Sequence, residues 1–235
     1  GHATVRLRVK LYHTIKRIDL ETDLLGWDGT QYREFRMAFP LNMKKADIAY
    51  AVPMGVAVVG KSEIAGAAGE RYTTPCAQVH PREVIDWFSA SDGEYGVTIG
   101  TSAAVFDWID PTGRAVSYPV LQPLLLASRK SCHGEGNWYL QTGDHSFRFS
   151  LVSYKGGWEN GRKAGTGSVQ PLMAVYSAPT GDTADKTLPE SMSFCRVSGD
   201  NVMLTAIKKC DDDDGVVIRC CEMEGRDAED RKSVV

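Results

Sequence analysis

Apolar and polar residues alternate along much of this chain with a period of two, which is typical of β-strands with one buried and one wet face. The clearest case is VRLRVKL at residues 5–11, where every second residue is apolar and the residues between are cationic. This segment predicts a half-buried strand. Further strand patterns, separated by segments rich in turn-forming residues, cover residues 18–24, 35–41, 47–59, 82–89, 95–100, 106–109, 118–127, 145–154, 171–176, 202–206 and 216–221.

Helical patterns are weak by comparison. No segment keeps the 3.6-residue period of an amphipathic helix for more than about two turns, and no fixed-length repeat is present. The Gly-rich residues 156–167 therefore predict a long flexible loop. Pro53 predicts a break in the strand at 47–59, because proline cannot donate to a strand ladder. Short strands in this number predict an all-β protein, a large sandwich of two sheets packed face to face.

Composition and charge narrow the classes of partner. The 235 residues are 43% hydrophobic and carry a net charge of -3, a globular balance that favours no nucleic acid and no anionic membrane as partner. No apolar run approaches the roughly 18 residues that span a bilayer. A loop at 178–189 reads as a linker, so we expect a large sandwich domain at residues 1–180. Residues 181–235 would then complete the sandwich or begin a small β domain.

The chain ends and the cysteines suggest a context. The chain begins at Gly1 without an initiator Met and enters a strand pattern at once, so we expect a piece of a longer protein. None of the six cysteines forms a CxxC pair. We therefore expect reduced thiols in a reducing compartment, which favours the cytoplasm. A disulfide pairing remains the alternative.

One loop gathers side chains that bind or react. The segment SRKSCHGEGNWY, residues 128–139, joins two strand patterns and is longer than the two to five residues of an ordinary hairpin turn. The alternative interpretation is a solvated loop anchored by a buried Trp. The candidate substrate-binding residues in it are Arg129, His133, Glu135, Asn137 and Trp138.

Other constellations give no complete site. The acidic run 211–214 lacks the alternating oxygen ligands and the distal Glu of an EF-hand, so it predicts a hairpin turn. No GxSxG motif occurs, and Cys76 near His80 is more typical of a packed strand edge than of a nucleophile and its base. Hydrolysis of a glycosidic bond usually takes two flanking carboxylates, but Glu94, Asp107 and Glu135 cannot be distinguished from the other acids by pattern.

The tryptophans leave a choice open as well. Aromatic faces pack on the apolar faces of sugars, and several tryptophans fall at strand ends or in loops. Each is more often a core anchor than a sugar platform. The tryptophans at strand ends or in loops are Trp27, Trp87, Trp108 and Trp138.

Five collinear stretches together resemble the C-terminal β region of glycoside hydrolase family 38, the α-mannosidase family. One of them, ADIAYAVPMGVAVVG, is similar to the family pattern AxxxYxxPFG with Met54 in place of the aromatic residue. Their order along almost the whole chain carries the resemblance, more than any single motif. The stretches are residues 15–41, 46–60, 80–102, the loop at 128–138 with 145–156, and 201–225.

The resemblance implies a non-catalytic part of a retaining glycosidase. Family members carry their aspartate nucleophile and a zinc ion, held by two His and two Asp, on an N-terminal barrel followed by a helical bundle. No residue of this chain matches those motifs, so we expect no catalytic or metal-binding residue in it and assign the zinc to the missing catalytic domain. The resemblance also implies a sandwich of the galactose-mutarotase-like type, with a smaller β domain from residue 201.

In the family, a loop of this β region brings an Arg to the active site, and by position it corresponds to residues 128–138. Arg129 is the best match, with His133 and Glu135 as alternatives. The implied partners are a mannose-containing oligosaccharide and the rest of the same chain. Two other functions remain open: a stand-alone carbohydrate-binding module, and a mutarotase-like epimerase that uses Glu135 with His133 or His145.

Overall fold

The computed structural model describes residues 1–63, 80–109, 116–130, 138–170, 172–176 and 189–229, together with the backbone of 233–234. They form two compact units, residues 1–170 and residues 171–235. The domain boundary predicted at residue 180 stays a prediction, because residues 177–188 lie outside the described part.

Unit 1 contains two antiparallel sheets, and strands are numbered here in chain order. The larger sheet has seven strands, β1 (Thr4–Leu11), β2 (Ile18–Trp27), β5 (Asp47–Val52), β6 (Gly55–Val58), β8 (Trp87–Ser91), β9 (Tyr95–Thr101) and β13 (Gly143–Lys155), in the spatial order β1-β2-β13-β9-β8-β5-β6. The smaller sheet has six strands, β3 (Arg33–Arg36), β4 (Phe39–Pro40), β7 (Arg82–Glu83), β10 (Val105–Asp107), β11 (Val120–Lys130) and β12 (Trp138–Tyr139).

The hydrophobic core lies between these sheets. Its buried side chains come from alternate positions of the facing strands, as the period-two pattern predicts. Aromatic rings make contacts across the gap, and such pairs add about 0.5–1.5 kcal/mol each beyond their buried area. The cross-sheet pairs are Phe88 with Phe106 (stacked, 4.6 Å between centroids), Trp27 with Phe35 (5.1 Å) and Phe39 with Phe149 (5.9 Å).

The predicted all-β sandwich of two sheets is confirmed. The break predicted at Pro53 is a tight turn between β5 and β6, in which Met54 has a φ of 62°. Within unit 2, β14 (Cys195–Arg196) pairs with β17 (Ser233–Val234). The predicted C-terminal hairpin is present as β15 (Val202–Lys209) and β16 (Val216–Glu222). Residues 172–176, predicted as part of a strand, form none.

The predicted burial of β1 is wrong. Every residue of β1 is exposed, including its apolar row, from Leu7 at 49% to Leu11 at 74%. The strand lies at the edge of the larger sheet and pairs with β2 alone among the described strands. Its alternation gives it the pattern of a half-buried strand, yet the described residues provide no layer that covers its apolar side.

The prediction of a flexible loop at 156–167 is also wrong, because residues Glu159–Val169 form helix α1. The glycines that suggested a loop permit close packing of this helix on the larger sheet. A Cβ atom on Gly161 would lie 2.2 Å from Cε1 of Tyr154, and one on Gly165 would lie 2.6 Å from Cγ of Trp87. Tertiary packing therefore outweighs the low helix propensity of glycine here. No helix among the described residues is long and apolar enough to cross a membrane.

We expect Gly165→Ala to destabilise the fold by about 1–3 kcal/mol, because the added methyl group overlaps the Trp87 ring and forces α1 away from the sheet. The matched control is Gly167→Ala, on the exposed side of the same helix, where nothing lies within 4 Å of the new Cβ. This control should gain about 0.5–1 kcal/mol from helix propensity. Urea unfolding measures both changes, and equal effects of the two substitutions would contradict the packing role of Gly165.

Candidate functional site

The predicted binding loop is framed by β11 and β12. These strands pair Arg129 with Tyr139 and Lys130 with Trp138, so β11 ends directly before residues 131–137 and β12 begins directly after them. Two of the five predicted site residues, Arg129 and Trp138, lie on these strands. The other three, His133, Glu135 and Asn137, lie in residues 131–137, outside the described residues.

Strand β3 brings a second segment of chain to the same place. It pairs with β11 so that Arg33 lies opposite Ser128 and Glu34 lies opposite Ala127. Sequence reasoning missed this segment, because the pairing joins residues far apart along the chain. Together the two strands form a shallow cavity of about 360 Å³, the β3–β11 pocket, lined by Tyr32, Arg33, Glu34, Ser128, Arg129 and Lys130.

Arg129 is held at this pocket by a carboxylate that two guanidinium groups share. Its Nη2 donates to Oε2 of Glu34 at 2.8 Å, while Nε of Arg36 donates to Oε1 of the same carboxylate at 2.5 Å. The Arg129 side chain remains 61% exposed. A guanidinium has five N–H donors in a fixed plane, so Arg129 carries donors beyond the one that Glu34 accepts.

The ion-pair chain continues from Arg36 to the neighbouring strand β10. Nη1 of Arg36 donates to Oδ2 of Asp107 at 3.0 Å, and Oδ1 of Asp107 lies 2.7 Å from Nδ1 of His80. Burial of Asp107 opposes its ionisation, but hydrogen bonds from Arg36 and from the backbone N–H groups of Trp108 and Ile109, with the charge of His80, hold its pKa below the ordinary value. Asp107 is therefore a buried structural anchor that fixes Arg36.

A second buried ion pair flanks this chain at β7. Nε of Arg82 donates to Oε1 of Glu63 at 2.7 Å, and the Tyr50 hydroxyl donates to the same oxygen at 2.8 Å. Burial and the Glu63 carboxylate raise the pKa of Tyr50 to about 12. The Arg82 guanidinium also lies over the ring of Trp108, 5.4 Å from its centroid and within the roughly 6 Å reach of a cation–π contact. These contacts join β5 and β7 to Trp108, the residue that follows β10.

Two exposed aromatic residues lie at or beside the pocket, Tyr32 in its lining and Trp138 next to Lys130. Tyr32 is 70% exposed, and its φ of 57° is a left-handed conformation that costs a bulky residue about 1–3 kcal/mol. Its backbone N–H donates to the carbonyl of Ser128, which holds the turn in place. Trp138 is also exposed, with Nζ of Lys130 5.3 Å from its ring centroid. Backbone strain of this kind is enriched at functional sites, although Met54 in the β5–β6 turn has it as well.

The other candidates from the sequence have structural roles. Trp27 and Trp87 are buried core residues, whereas Trp138 is exposed at the pocket. The acidic run 211–214 forms the exposed turn between β15 and β16, as predicted. Within the described ranges, no three His, Cys, Asp or Glu side chains are placed to hold a metal ion.

Comparison with known proteins gives matches of two kinds. Residues 201–234 match the sequence model of the glycosyl hydrolases family 38 C-terminal beta sandwich domain. The fold matches the crystal structure of an alpha-mannosidase from Enterococcus faecalis V583, with a TM-score of 0.74 and 13% identity over 98% of this chain and 24% of that chain. A structure of a protein in glycosyl hydrolase family 38 from Enterococcus faecalis matches with a TM-score of 0.73 and 13% identity, over 98% of this chain and 25% of that chain. No curated protein matches the sequence.

The fold is that of the β-sandwich regions found in large glycoside hydrolases of the α-mannosidase type. The resemblance to the C-terminal β region of glycoside hydrolase family 38 is confirmed by the structural matches together with the family match at residues 201–234. The chain spans about a quarter of the length of the solved structures it matches.

We expect Asp107→Asn to lower the free energy of unfolding by about 1–3 kcal/mol at neutral pH, because Arg36 and His80 lose a buried carboxylate. The pKa of Asp107 is lower in the folded than in the unfolded chain, so this stabilisation is present above the unfolded value of about 3.9 and is lost as pH falls through the folded value. Urea unfolding at a series of pH values should show the difference between wild type and variant shrinking below about pH 4.

The control for that series is Asp47→Asn, which removes a solvent-exposed pair with Lys61 (2.7 Å). An exposed pair contributes about 0–1 kcal/mol, so this variant should remain close to wild type across the pH range. A constant difference between wild type and Asp107→Asn down to pH 2 would contradict the assigned role of the Asp107 carboxylate.

Proposed function

We propose that the chain is a non-catalytic β-sandwich portion of a longer, α-mannosidase-like retaining glycoside hydrolase. In that enzyme it supports the catalytic barrel and contributes the β3–β11 pocket to the sugar-binding site. The observation that carries the proposal is the position of this pocket at the base of loop 128–138, within a fold shared with family 38 proteins. The hydrolytic nucleophile and the zinc ion belong, in this proposal, to the catalytic domain.

The supporting role rests on β1. Its exposed apolar side chains form one row along the edge of the larger sheet, and a soluble surface rarely leaves such a row uncovered. The matched structures are about four times as long as this chain. A parent enzyme of that length has further chain to cover this edge. We assign the apolar side of β1 to the contact with the rest of the parent enzyme.

The binding role rests on the chemistry of the pocket. A sugar ring has apolar C–H faces that pack on aromatic rings and hydroxyl groups that accept hydrogen bonds. Tyr32 offers an exposed ring, and Arg129 offers directed N–H donors. Because Glu34 and Arg36 fix the Arg129 side chain, little of its conformational freedom is lost when a sugar binds.

We expect Arg129→Ala in the intact parent enzyme to raise KM or lower kcat for a mannoside, with kcat/KM falling about 5- to 100-fold and little change in stability. The effect on stability is small because the Arg129–Glu34 pair is largely exposed. A matched control is Arg219→Ala on the exposed side of β16. Wild-type kinetics together with wild-type thermal unfolding would remove Arg129 and this pocket from the proposal.

Tyr32→Gly separates the role of the ring from that of the backbone. Glycine tolerates a φ of 57°, so the substitution relieves the left-handed strain while it removes the ring. We expect unfolding stability equal to or above wild type, together with a KM for mannoside raised about 2- to 10-fold through the lost ring contact. The control is Met54→Gly, which changes another left-handed residue, in the β5–β6 turn, and should leave KM unchanged. An unaltered KM in Tyr32→Gly would exclude the ring as a sugar contact.

A further inference from the structure

The composition of the β3–β11 pocket points to a more specific ligand than a neutral sugar. We propose that the pocket recognises a sugar that carries an anionic group, a phosphate or a carboxylate. This inference rests on the proposed function, which places a sugar at this pocket, and adds to it the charge of the substrate.

The lining of the pocket carries a net positive charge. Three of the six lining residues are cations (Arg33, Arg129 and Lys130) and one, Glu34, is an anion, which gives 3 − 1 = +2 for the lining. The whole chain carries -3, so the positive pocket is not a consequence of a basic protein. Cations gathered on adjacent strand positions repel one another, and an anion bound between them would remove that repulsion.

Within the described residues, carboxylates compensate the cations of the pocket only in part. Glu34 pairs with Arg129 inside the pocket and with Arg36 behind it, so its charge is already shared. The described residues place no carboxylate within 4.0 Å of the Arg33 or Lys130 side chains. Nη1 of Arg33 instead donates to the backbone carbonyl of Tyr32 at 3.3 Å, and Lys130 lies against the Trp138 ring.

The donors of the pocket suit an oxyanion. Guanidinium groups bind phosphate and carboxylate oxygens through paired N–H donors, and an ammonium group adds a mobile point charge. Arg33 lies opposite Ser128, so Arg33 and Lys130 share one face of the strand pair, while Arg129 lies at the intervening position; all three line the pocket. Tyr32, at the rim, supplies an aromatic surface for the sugar ring that bears the anion. The small cavity and the acidic chain do not suit an extended polyanion.

The test is calorimetric titration of the intact parent protein at low ionic strength with four probes: mannose, mannose 6-phosphate, mannuronate and inorganic phosphate. We expect at least one anionic sugar to bind about tenfold or more tightly than mannose, with the advantage shrinking as salt is added. Comparison of the phosphorylated with the carboxylated sugar identifies which anion the pocket prefers.

Variants locate the effect. Arg33→Gln and Lys130→Gln should each lower the affinity for the anionic sugar about 3- to 10-fold more than they lower the affinity for mannose. The control is Lys155→Gln, which removes an exposed cation at the end of β13 and should change neither affinity. A loss of anion preference in Lys155→Gln equal to that in the pocket variants would contradict a local site.

The remaining outcomes separate this inference from the proposed function. Equal binding of mannose and both anionic sugars overturns the inference and leaves the glycosidase role intact. Inorganic phosphate that binds as tightly as mannose 6-phosphate shows an adventitious ion only and also overturns it. If no probe binds, the inference fails, and mannoside hydrolysis by the same protein then decides separately whether the proposed function stands.

Discussion

The arrangement of the pocket depends on one shared carboxylate. Glu34 accepts a hydrogen bond from Arg129 on the pocket side and another from Arg36 on the sheet side, so the orientation of the outer arginine is transmitted from the inner one. Arg36 is fixed in turn by Asp107, and Asp107 by its hydrogen bonds to His80 and the backbone. A side chain with four rotatable bonds is thereby directed by groups in the protein interior, whose positions are set by packing.

That interior is the contact between the two sheets. Asp107 follows Phe106 in β10, and alternation along a strand places Phe106 in the core and Asp107 on the opposite face. The stack of Phe106 on Phe88 fixes β10 against the larger sheet, and β10 fixes the carboxylate. Apolar contacts on the core face of the smaller sheet therefore determine where the polar groups on its other face lie.

Much of this fold is predictable from the sequence, because period-two alternation is a local property and the strands follow it closely. The failures are equally specific. Gly161 and Gly165 lower helix propensity, yet they allow α1 to approach Tyr154 and Trp87, and that benefit depends on a surface distant in the chain. In the same way, β1 has the pattern of a half-buried strand without a covering layer among the described residues.

The sequence predicted only part of the candidate site. Arg129 and Trp138 belong to a segment whose length and polar composition predict a binding loop. Arg129 lines the pocket, and Trp138 lies at its edge beside Lys130. Arg33 and Glu34 carry no such signal, because they belong to an ordinary alternating segment and reach the site through the pairing of β3 with β11. The left-handed backbone of Tyr32 was equally unpredictable, since Tyr rarely adopts a positive φ. The hydrogen bond from the Tyr32 backbone N–H to the Ser128 carbonyl holds this conformation in the folded chain. The entropy of ordering the turn is therefore lost during folding, and a ligand binds a preorganised surface.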